Sequence, residues 1–224
     1  MAESSLEDPV ISELLDRLHG LDAKHPWGFL PAALPGIVRG WLGKPTSAVD
    51  ESFRFRYMAI GLGRASGRLA YLTARAIKAE RIVEFGTSFG ISTIYLASAL
   101  RDQGRGVVIG SELEPSKVRL ANEHLQSAGL SAFVDIRAGD ARETLADPGG
   151  PVDLILLDGW KDLYLPVLQI LEPHLRPGAV ILADNVTMFK RTLAPYVAYV
   201  GQQANGYQSV TLEIGAGLEY SIRL

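Results

Sequence analysis

Residues 81–90, RIVEFGTSFG, indicate the fold class, because they join a short apolar strand directly to a glycine-rich turn. Helical periodicity follows from residue 91, and a strand, a turn and a helix in this order are typical of an α/β sheet. The turn has the pattern E-x-G-x-x-x-G, with Glu84, Gly86 and Gly90 at the fixed positions. A dinucleotide-binding turn carries a third glycine, so this turn suits a ligand without phosphates, or is a plain tight turn.

From residue 81 onward, β-rich runs alternate with helical runs, which predicts βαβ units and a parallel sheet. The predicted strands span residues 81–86, 106–111, 132–137, 152–158 and 178–184. The predicted helices lie near residues 91–102, 115–128, 141–146, 161–175 and 190–203. Two further runs, 207–214 and 218–224, flank a Gly-Ala-Gly turn and predict an antiparallel hairpin. The fold class is therefore α/β, with a doubly wound, mostly parallel seven-stranded sheet.

The residues before 81 are less regular and add N-terminal helices. Residues 1–20 predict an amphipathic helix, whose apolar side chains are Leu6, Val10, Ile11, Leu14, Leu15 and Leu18. Residues 21–50 contain four prolines among large apolar residues, so we expect a packed segment without a long helix. Further helices are predicted over part of 52–62 and over 64–79. The chain is accordingly divided into an N-terminal helical and loop segment, 1–56, and one domain, 57–224.

Composition narrows the function classes. No stretch of the chain approaches the roughly 20 apolar residues of a membrane span, and residues 1–8 lack the layout of a signal peptide, so we expect a cytoplasmic protein. There are no cysteines, so any metal must be held by oxygen or imidazole ligands. The net charge of −3, with both signs scattered along the sequence, argues against nucleic acid as a partner.

The second and third predicted strands end in acidic residues at the same edge of the sheet as the glycine turn. Glu112 can accept two hydrogen bonds from a ribose, or can precede a helix whose dipole favours negative charge. The helix interpretation suits Glu114 better, because Glu114 lies directly before Pro115. Asp140 can accept from an adenine amine, or can cap the short helix that follows. The three tips together predict a ligand crevice.

The fourth and fifth predicted strands end in Asp158 and in Asp184-Asn185, which we expect to be neighbours. Two carboxylates and an amide carbonyl suit Mg²⁺, or Mn²⁺ or Ca²⁺, rather than zinc. Each aspartate alone is more simply a helix N-cap, because each lies near a strand-to-helix turn. Asp158 together with the consecutive Asp184-Asn185 favours the metal site. Successive strand residues point to opposite faces, so a shared ion requires the chain to leave strand geometry between Asp184 and Asn185.

Two residues after Asp158 add to this cluster. Lys161 can turn back toward the same site, where repulsion by a bound cation would favour its neutral form and make it a general base. The simpler interpretation is an exposed surface lysine. Trp160 can form a flat wall for an adenine, or can pack in the core.

With these residues in place, the sequence resembles the cation-dependent O-methyltransferases, the family of catechol O-methyltransferase and the caffeoyl-coenzyme A enzymes. The resemblance covers roughly residues 57–224 and is most specific in IVEFGTSFGIS at 82–92, LLDGWKDLYLP at 156–166 and AVILADNV at 179–186. It implies an S-adenosylmethionine-dependent enzyme with the Rossmann-like fold of class I methyltransferases. A divalent cation such as Mg²⁺ and a lysine base are implied as well.

The resemblance also implies roles for individual residues. Asp158, Asp184 and Asn185 correspond to the metal ligands, and Lys161, next to the catalytic Asp158, corresponds to the base that removes the hydroxyl proton. On the cofactor side, the resemblance implies that Glu84, Gly86 and Ser92 contact the methionine moiety and that Glu112 contacts the ribose. Asp140 and Ala141 are implied at the adenine. Leu62, Asp158 and Trp160 are the remaining implied residues of the cofactor site.

Two regions depart from the family pattern. Glu213 lies one position later than the glutamate that holds the second substrate hydroxyl in the catechol enzyme, and a one-residue slip turns a strand side chain to the other face. Residues 1–50 do not align with the family. Segments at this place commonly help to close the substrate pocket, so we expect residues 1–56 to pack on the core or to cover that pocket.

We therefore expect methyl transfer from S-adenosylmethionine to a hydroxyl of a small catechol-like or vicinal-diol substrate. A homodimer is compatible with this function. The alternatives are a metal-independent methyltransferase, a tRNA wobble-uridine hydroxyl methyltransferase, a nicotinamide-dependent reductase and an inactive binding module. The missing third glycine disfavours the reductase, and the acidic balance disfavours the tRNA enzyme. The complete set of Asp158, Lys161, Asp184 and Asn185 disfavours the inactive module.

Overall fold

The predicted seven-stranded sheet is confirmed by the computed structural model, which describes residues 4–23 and 61–224. Its strands are β1 Arg81–Phe85, β2 Val107–Glu112, β3 Val134–Ala138, β4 Val152–Leu157, β5 Leu175–Asp184, β6 Tyr207–Leu212 and β7 Leu218–Arg223. Their order across the sheet is β3-β2-β1-β4-β5-β7-β6. Strands β1 to β5 are parallel, and β7 is antiparallel to both β5 and β6, so the predicted C-terminal hairpin is also confirmed.

Helices cover both faces of this sheet. Within the described ranges, the α-helices are α1 Pro9–Ala23, α2 Arg64–Ala76, α3 Ile91–Gln103, α4 Pro115–Ser127, α5 Ala141–Thr144, α6 Tyr164–Leu171 and α7 Lys190–Val200. Neighbouring residues of β1 show the two layers, since Ile82 is buried in the cluster with α1 to α4 and Val83 in the cluster with α5 to α7. None of the helices in these ranges is long and apolar enough to span a membrane.

The strand order reverses at β1, which lies between β2 and β4. The chain first builds outward from β1 to β3, and then returns to the other side of β1 to build β4 and β5. Open α/β sheets bind ligands in the crevice outside the carboxyl ends of the strands at such a reversal. The tips of β1, β2 and β4 are therefore where a site is expected.

The N-terminal helix begins later than predicted. Residues Ser5–Glu7 form a 3-10 helix, and the α-helix begins at Pro9, since proline suits the first helical position where its missing N–H needs no partner. Val10, predicted on the apolar face, is 54% exposed because it lies in the first turn at the edge of the buried stripe. The predictions for residues 24–60, including the division at residue 56 and most of the range 52–62 in which a helix was predicted, lie outside the described residues.

The predicted helix over 161–175 is also wrong in detail. It consists of a 3-10 helix at Lys161–Leu163, then α6, and then a second 3-10 helix at Glu172–His174. Proline is best tolerated in the first turn of a helix, and Pro166 and Pro173 each lie near the start of one of these pieces. Strand β5 begins earlier than predicted, at Leu175, and its pairing with β4 is irregular there.

Candidate active site

The glycine turn after β1 packs against the tip of β4. Gly86 has a φ of +99°, and a Cβ atom there would lie 2.6 Å from the backbone nitrogen of Gly159. A Cβ atom on Gly159 would lie 2.6 Å from the ring of Phe85. A side chain at either glycine would push the two tips apart, so both glycines are needed to bring the turn next to Asp158. The glycines of this turn therefore allow a close approach to the backbone of Asp158 and Gly159 at the tip of β4.

Glu84 near the end of β1 is fully buried and has one carboxylate oxygen left over. Its Oε2 accepts hydrogen bonds from the hydroxyls of Thr87, at 2.9 Å, and Thr93, at 2.6 Å. Its Oε1 has no hydrogen-bond partner among the described residues. Burial, only partly offset by hydroxyl donors, raises the pKa of Glu84 from 4.5 to about 7. A buried carboxylate with an unused oxygen suits a positively charged ligand group.

Glu112 at the tip of β2 is held by two backbone N–H groups. Ser88 donates to its Oε2 at 2.8 Å, and Glu114 donates to its Oε1 at 2.9 Å. The cap of α4 is Glu114, whose side chain accepts from the N–H of Ser116 at 3.3 Å. The helix interpretation therefore holds for Glu114 and not for Glu112. Glu112 is a half-buried carboxylate with a fixed orientation at the crevice.

Asp140 at the end of β3 caps α5, as one of its two interpretations predicted. Its Oδ1 accepts from the N–H of Arg142 at 2.9 Å, and its Oδ2 is 2.6 Å from the Arg142 guanidinium. This guanidinium lowers the pKa of Asp140. The other implied cofactor residues, Leu62, Ser92 and Ala141, are all buried. Of these, Leu62 follows Gly61, which lies against Ile91 at the start of α3.

Lys161 is part of a buried polar cluster at the tip of β4. Its Nζ donates to Asp158 Oδ1 at 3.1 Å and to the hydroxyl of Tyr164 at 2.8 Å. The Tyr164 hydroxyl donates in turn to the backbone carbonyl of Asp184 at 3.1 Å, which links the tips of β4 and β5. The side chains of Lys161 and Asp158 are only 16% and 5% exposed. The interpretation of Lys161 as a surface lysine is therefore wrong.

The chain leaves strand geometry between Asp184 and Asn185, as a shared ion requires. β5 ends at Asp184, and Asn185 has a φ of +68°, which turns its side chain back toward its neighbour. The Asn185 amide nitrogen donates to Asp184 Oδ2 at 2.9 Å. The other oxygen of Asp184, Oδ1, is buried and has no hydrogen-bond partner within residues 4–23 and 61–224.

The two aspartates carry a charge that the fold leaves largely uncompensated. Burial and the neighbouring Asp158 carboxylate raise the pKa of Asp184 to about 7, and burial raises the pKa of Asp158 despite the nearby Lys161. Neither aspartate caps a helix, because the cap positions of the next helices are Trp160 and Phe189. In the described part of the chain, no three histidine, cysteine or acidic side chains converge on a metal position. A cation here would therefore need the Asn185 amide as its third protein ligand.

Three aromatic residues complete this cluster. Tyr164 and Phe189 were not among the predicted site residues, although their rings lie 5.1 Å and 5.9 Å from Lys161 Nζ. Tyr164 follows Lys161 by three residues at the start of a helical segment, so their shared face could have been read from the spacing. Trp160 is half-buried and packs against the core cluster, which confirms its packing role. Its contact with an adenine stays a prediction.

Comparison with known proteins gives consistent matches. Residues 83–186 match a family described as a methyltransferase domain. The chain is 38% identical over 128 residues to catechol O-methyltransferase of Mycobacterium tuberculosis, covering 57% of each chain. It is 30% identical over 135 residues to catechol O-methyltransferase of Sus scrofa, covering 57% of this chain and 72% of that one. The solved structure of the O-methyltransferase TomG of Streptomyces achromogenes, in complex with SAM, aligns with a TM-score of 0.66 at 24% identity, over 85% of this chain and 96% of that one.

The curated matches do not span whole proteins. The chain covers 57% of the length of the Mycobacterium tuberculosis relative and 59% of the length of a catechol O-methyltransferase of Niastella koreensis. The likeness to TomG extends to nearly its whole length and shows a common fold.

Proposed function

Because the chain belongs to the cation-dependent O-methyltransferase family, we propose that it transfers a methyl group from S-adenosylmethionine to a hydroxyl oxygen of a small acceptor. The acceptor is catechol-like, or another vicinal diol, and the reaction uses a divalent cation such as Mg²⁺ with Lys161 as the base. The relatives that are named catechol O-methyltransferase support this reaction and this class of acceptor.

The unused buried oxygen of Asp184, next to Asp158, is the observation that carries the proposal. A purely structural pair of this kind is costly, because two neighbouring carboxylates repel each other away from water. Asp158, Asp184 and Asn185 would hold a divalent cation through two carboxylate oxygens and an amide oxygen, a ligand set that suits Mg²⁺. When bound, the cation would supply a Lewis acid that favours ionisation of an acceptor hydroxyl.

Lys161 is the proposed base of the reaction. The contacts of its Nζ with Asp158 and Tyr164 hold the amine at the edge of the proposed metal site. During transfer, the acceptor hydroxyl gives its proton to Lys161 Nζ, and the acceptor oxygen forms a bond to the methyl carbon. The bond between sulfur and methyl breaks, and the sulfonium becomes a thioether. Asp158 and Tyr164 then stabilise the resulting ammonium through their hydrogen bonds.

The proposed cofactor site runs along the tips of β1, β2 and β3. The free oxygen of Glu84 suits the ammonium of the methionine moiety, and the fixed carboxylate of Glu112 suits the ribose hydroxyls. Asp158 lies where the cofactor and metal positions meet. Further contacts are proposed for Leu62, Gly86, Ser92, Asp140, Ala141 and Trp160.

The test is a methyl-transfer assay that compares catechol with resorcinol, which carries the same two hydroxyls on non-adjacent carbons. With labelled S-adenosylmethionine and Mg²⁺, catechol should be methylated much faster, because only catechol presents two oxygens to one cation. Chelator should abolish the transfer, and added Mg²⁺ should restore it.

Other outcomes of the assay would favour the alternatives. Full activity in chelator would indicate a metal-independent methyltransferase, and methylation of tRNA without catechol would indicate the wobble-uridine enzyme. Binding of a nicotinamide cofactor without binding of S-adenosylmethionine would contradict the proposal as a whole.

We further propose that residues 1–56 pack on the domain 57–224 or cover its acceptor pocket. The protein is proposed to be cytoplasmic and able to form a homodimer.

A further inference from the structure

The turn between β1 and α3 is held in an uncommon conformation at Ser88. Its φ is +50°, in the left-handed region that favours glycine and is unfavourable for a residue with a side chain. In this conformation, the Ser88 N–H donates to Glu112 Oε2 at 2.8 Å. Such a conformation persists only when surrounding contacts hold it in place. The contacts of Ser88 therefore matter for the orientation of the Glu112 carboxylate.

Lys117 provides one of these contacts from α4. Its Nζ donates to Ser88 Oγ at 3.4 Å and lies 5.6 Å from the centre of the Phe89 ring. The residue is only 7% exposed. Burial lowers the pKa of Lys117, while Glu112 and Glu114 favour its charged form.

The fold alone does not account for a lysine at this position. Lys117 lies in the first turn of α4, where the helix dipole disfavours positive charge. Removing an ammonium from water is also costly, and an apolar side chain could fill the same space without that penalty. The favourable consequence of the lysine is local, because its contacts are made to the turn that holds Glu112.

We propose that Lys117 is a positioning residue for the cofactor and acts through Ser88 and Glu112. By holding Ser88, it keeps in place the N–H that fixes one oxygen of Glu112, so that the remaining lone pairs of the carboxylate are oriented for the ribose. The inference rests on the proposed function, since it assigns Lys117 to the ribose side of that cofactor site.

The test compares the binding of S-adenosylhomocysteine by calorimetry in wild type, Lys117→Met and Arg119→Met. Lys117→Met should weaken binding about tenfold and raise KM for S-adenosylmethionine by the same factor, with kcat at saturation close to that of wild type. Arg119 is the matched control, because it lies in the same helix with its side chain 72% exposed. Arg119→Met should leave these values unchanged. Lys117→Arg retains a cation and should recover part of the lost affinity.

A double-variant cycle separates positioning from a loss of packing. In a Glu112→Gln background, Lys117→Met should cause little further loss, because its effect is transmitted through that carboxylate. Ser88→Ala removes the hydroxyl acceptor and leaves Lys117 in place, so it should reproduce part of the loss even if Lys117→Met folds poorly.

Unchanged binding in Lys117→Met, equal losses in both backgrounds, or a loss confined to kcat would overturn the proposal. If wild type binds neither S-adenosylhomocysteine nor S-adenosylmethionine, the proposed function itself fails, and this inference fails with it. The two failures are therefore distinguished by the wild-type measurement alone.

Discussion

The two halves of the crevice differ in how completely the chain satisfies their carboxylates. At the tips of β2 and β3, Glu112 accepts from two backbone N–H groups, and Asp140 is bonded to Arg142. At the tips of β4 and β5, Asp158 contacts Lys161, but Asp184 retains a buried oxygen without a partner in the described structure. The first half is complete without a ligand, whereas the second half has one lysine, Lys161, beside the two carboxylates of Asp158 and Asp184.

The pKa values follow the same division. The Arg142 guanidinium lowers the pKa of Asp140, whereas burial raises the pKa of Asp184 to about 7. The first half is thus organised in advance for polar groups of a ligand, and the second would be stabilised by the proposed cation. Glu84 lies between the halves and resembles the second, since it also has an unused buried oxygen. The difference predicts distinct responses to mutation.

The largest expected effect is on the chemistry of the β4–β5 half. Lys161→Met should lower kcat by about 10²–10⁴-fold, because a general base typically contributes that much. Cofactor affinity should barely change, since Lys161 contacts Asp158 and Tyr164 and not the β2–β3 half. Steady-state kinetics measure the loss of kcat with catechol and with nitrocatechol, which is more acidic and ionises with less help from a base.

Lys190→Met is the matched control for this prediction, because Lys190 is an exposed lysine in the first turn of α7. It should retain nearly wild-type kcat. If Lys161→Met also retains near-normal kcat on unactivated catechol, another group removes the proton and the role of Lys161 must be abandoned.

Glu84→Gln should change how stability depends on pH. Burial raises the pKa of Glu84 from 4.5 to about 7, so its protonated form favours the folded protein below pH 4.5 and this contribution is lost as pH rises through 7. The full effect is up to about 3 kcal/mol. The ligand-free variant should therefore lose less unfolding free energy than wild type between pH 5 and 8 in urea titrations. Parallel curves for the two proteins would show that Glu84 is not held in its protonated form.

A smaller effect is expected at Glu112, in the half that is already complete. Glu112→Gln replaces one acceptor oxygen by an amide that must face an N–H group, so it should lose roughly 1–3 kcal/mol of S-adenosylhomocysteine binding. Glu114→Gln is the control, because Glu114 caps α4 and should affect helix stability without affecting the ligand. Calorimetry on both variants measures the difference. Equal losses would mean that Glu112 acts through the fold.

The positions of the two halves of the crevice could largely be predicted from the sequence, because local patterns set the strand ends and the glycine turn. The distance to the next helix also distinguishes the two acidic tips. Asp140 directly precedes α5 and caps it, whereas Glu112 lies further ahead of Pro115 and leaves that position to Glu114.

The contacts across the sheet could not be predicted in this way. The bond from Tyr164 to the Asp184 carbonyl joins residues that are far apart in sequence, and the position of Lys117 under the glycine turn depends on how α4 packs. The burial of Lys161 has the same origin, since an isolated lysine in a sequence is more simply exposed. Such tertiary contacts decide between interpretations that local patterns leave equal.

A divalent cation is proposed to complete the β4–β5 half of the crevice. The most direct test is a calorimetric titration of Mg²⁺ into wild type and Asp184→Ala, each saturated with S-adenosylhomocysteine. We predict one bound cation per chain in wild type, no detectable binding in Asp184→Ala, and the same S-adenosylhomocysteine affinity in both proteins. Absence of Mg²⁺ binding in wild type, or equal binding in Asp184→Ala, would contradict a cation site at Asp158, Asp184 and Asn185.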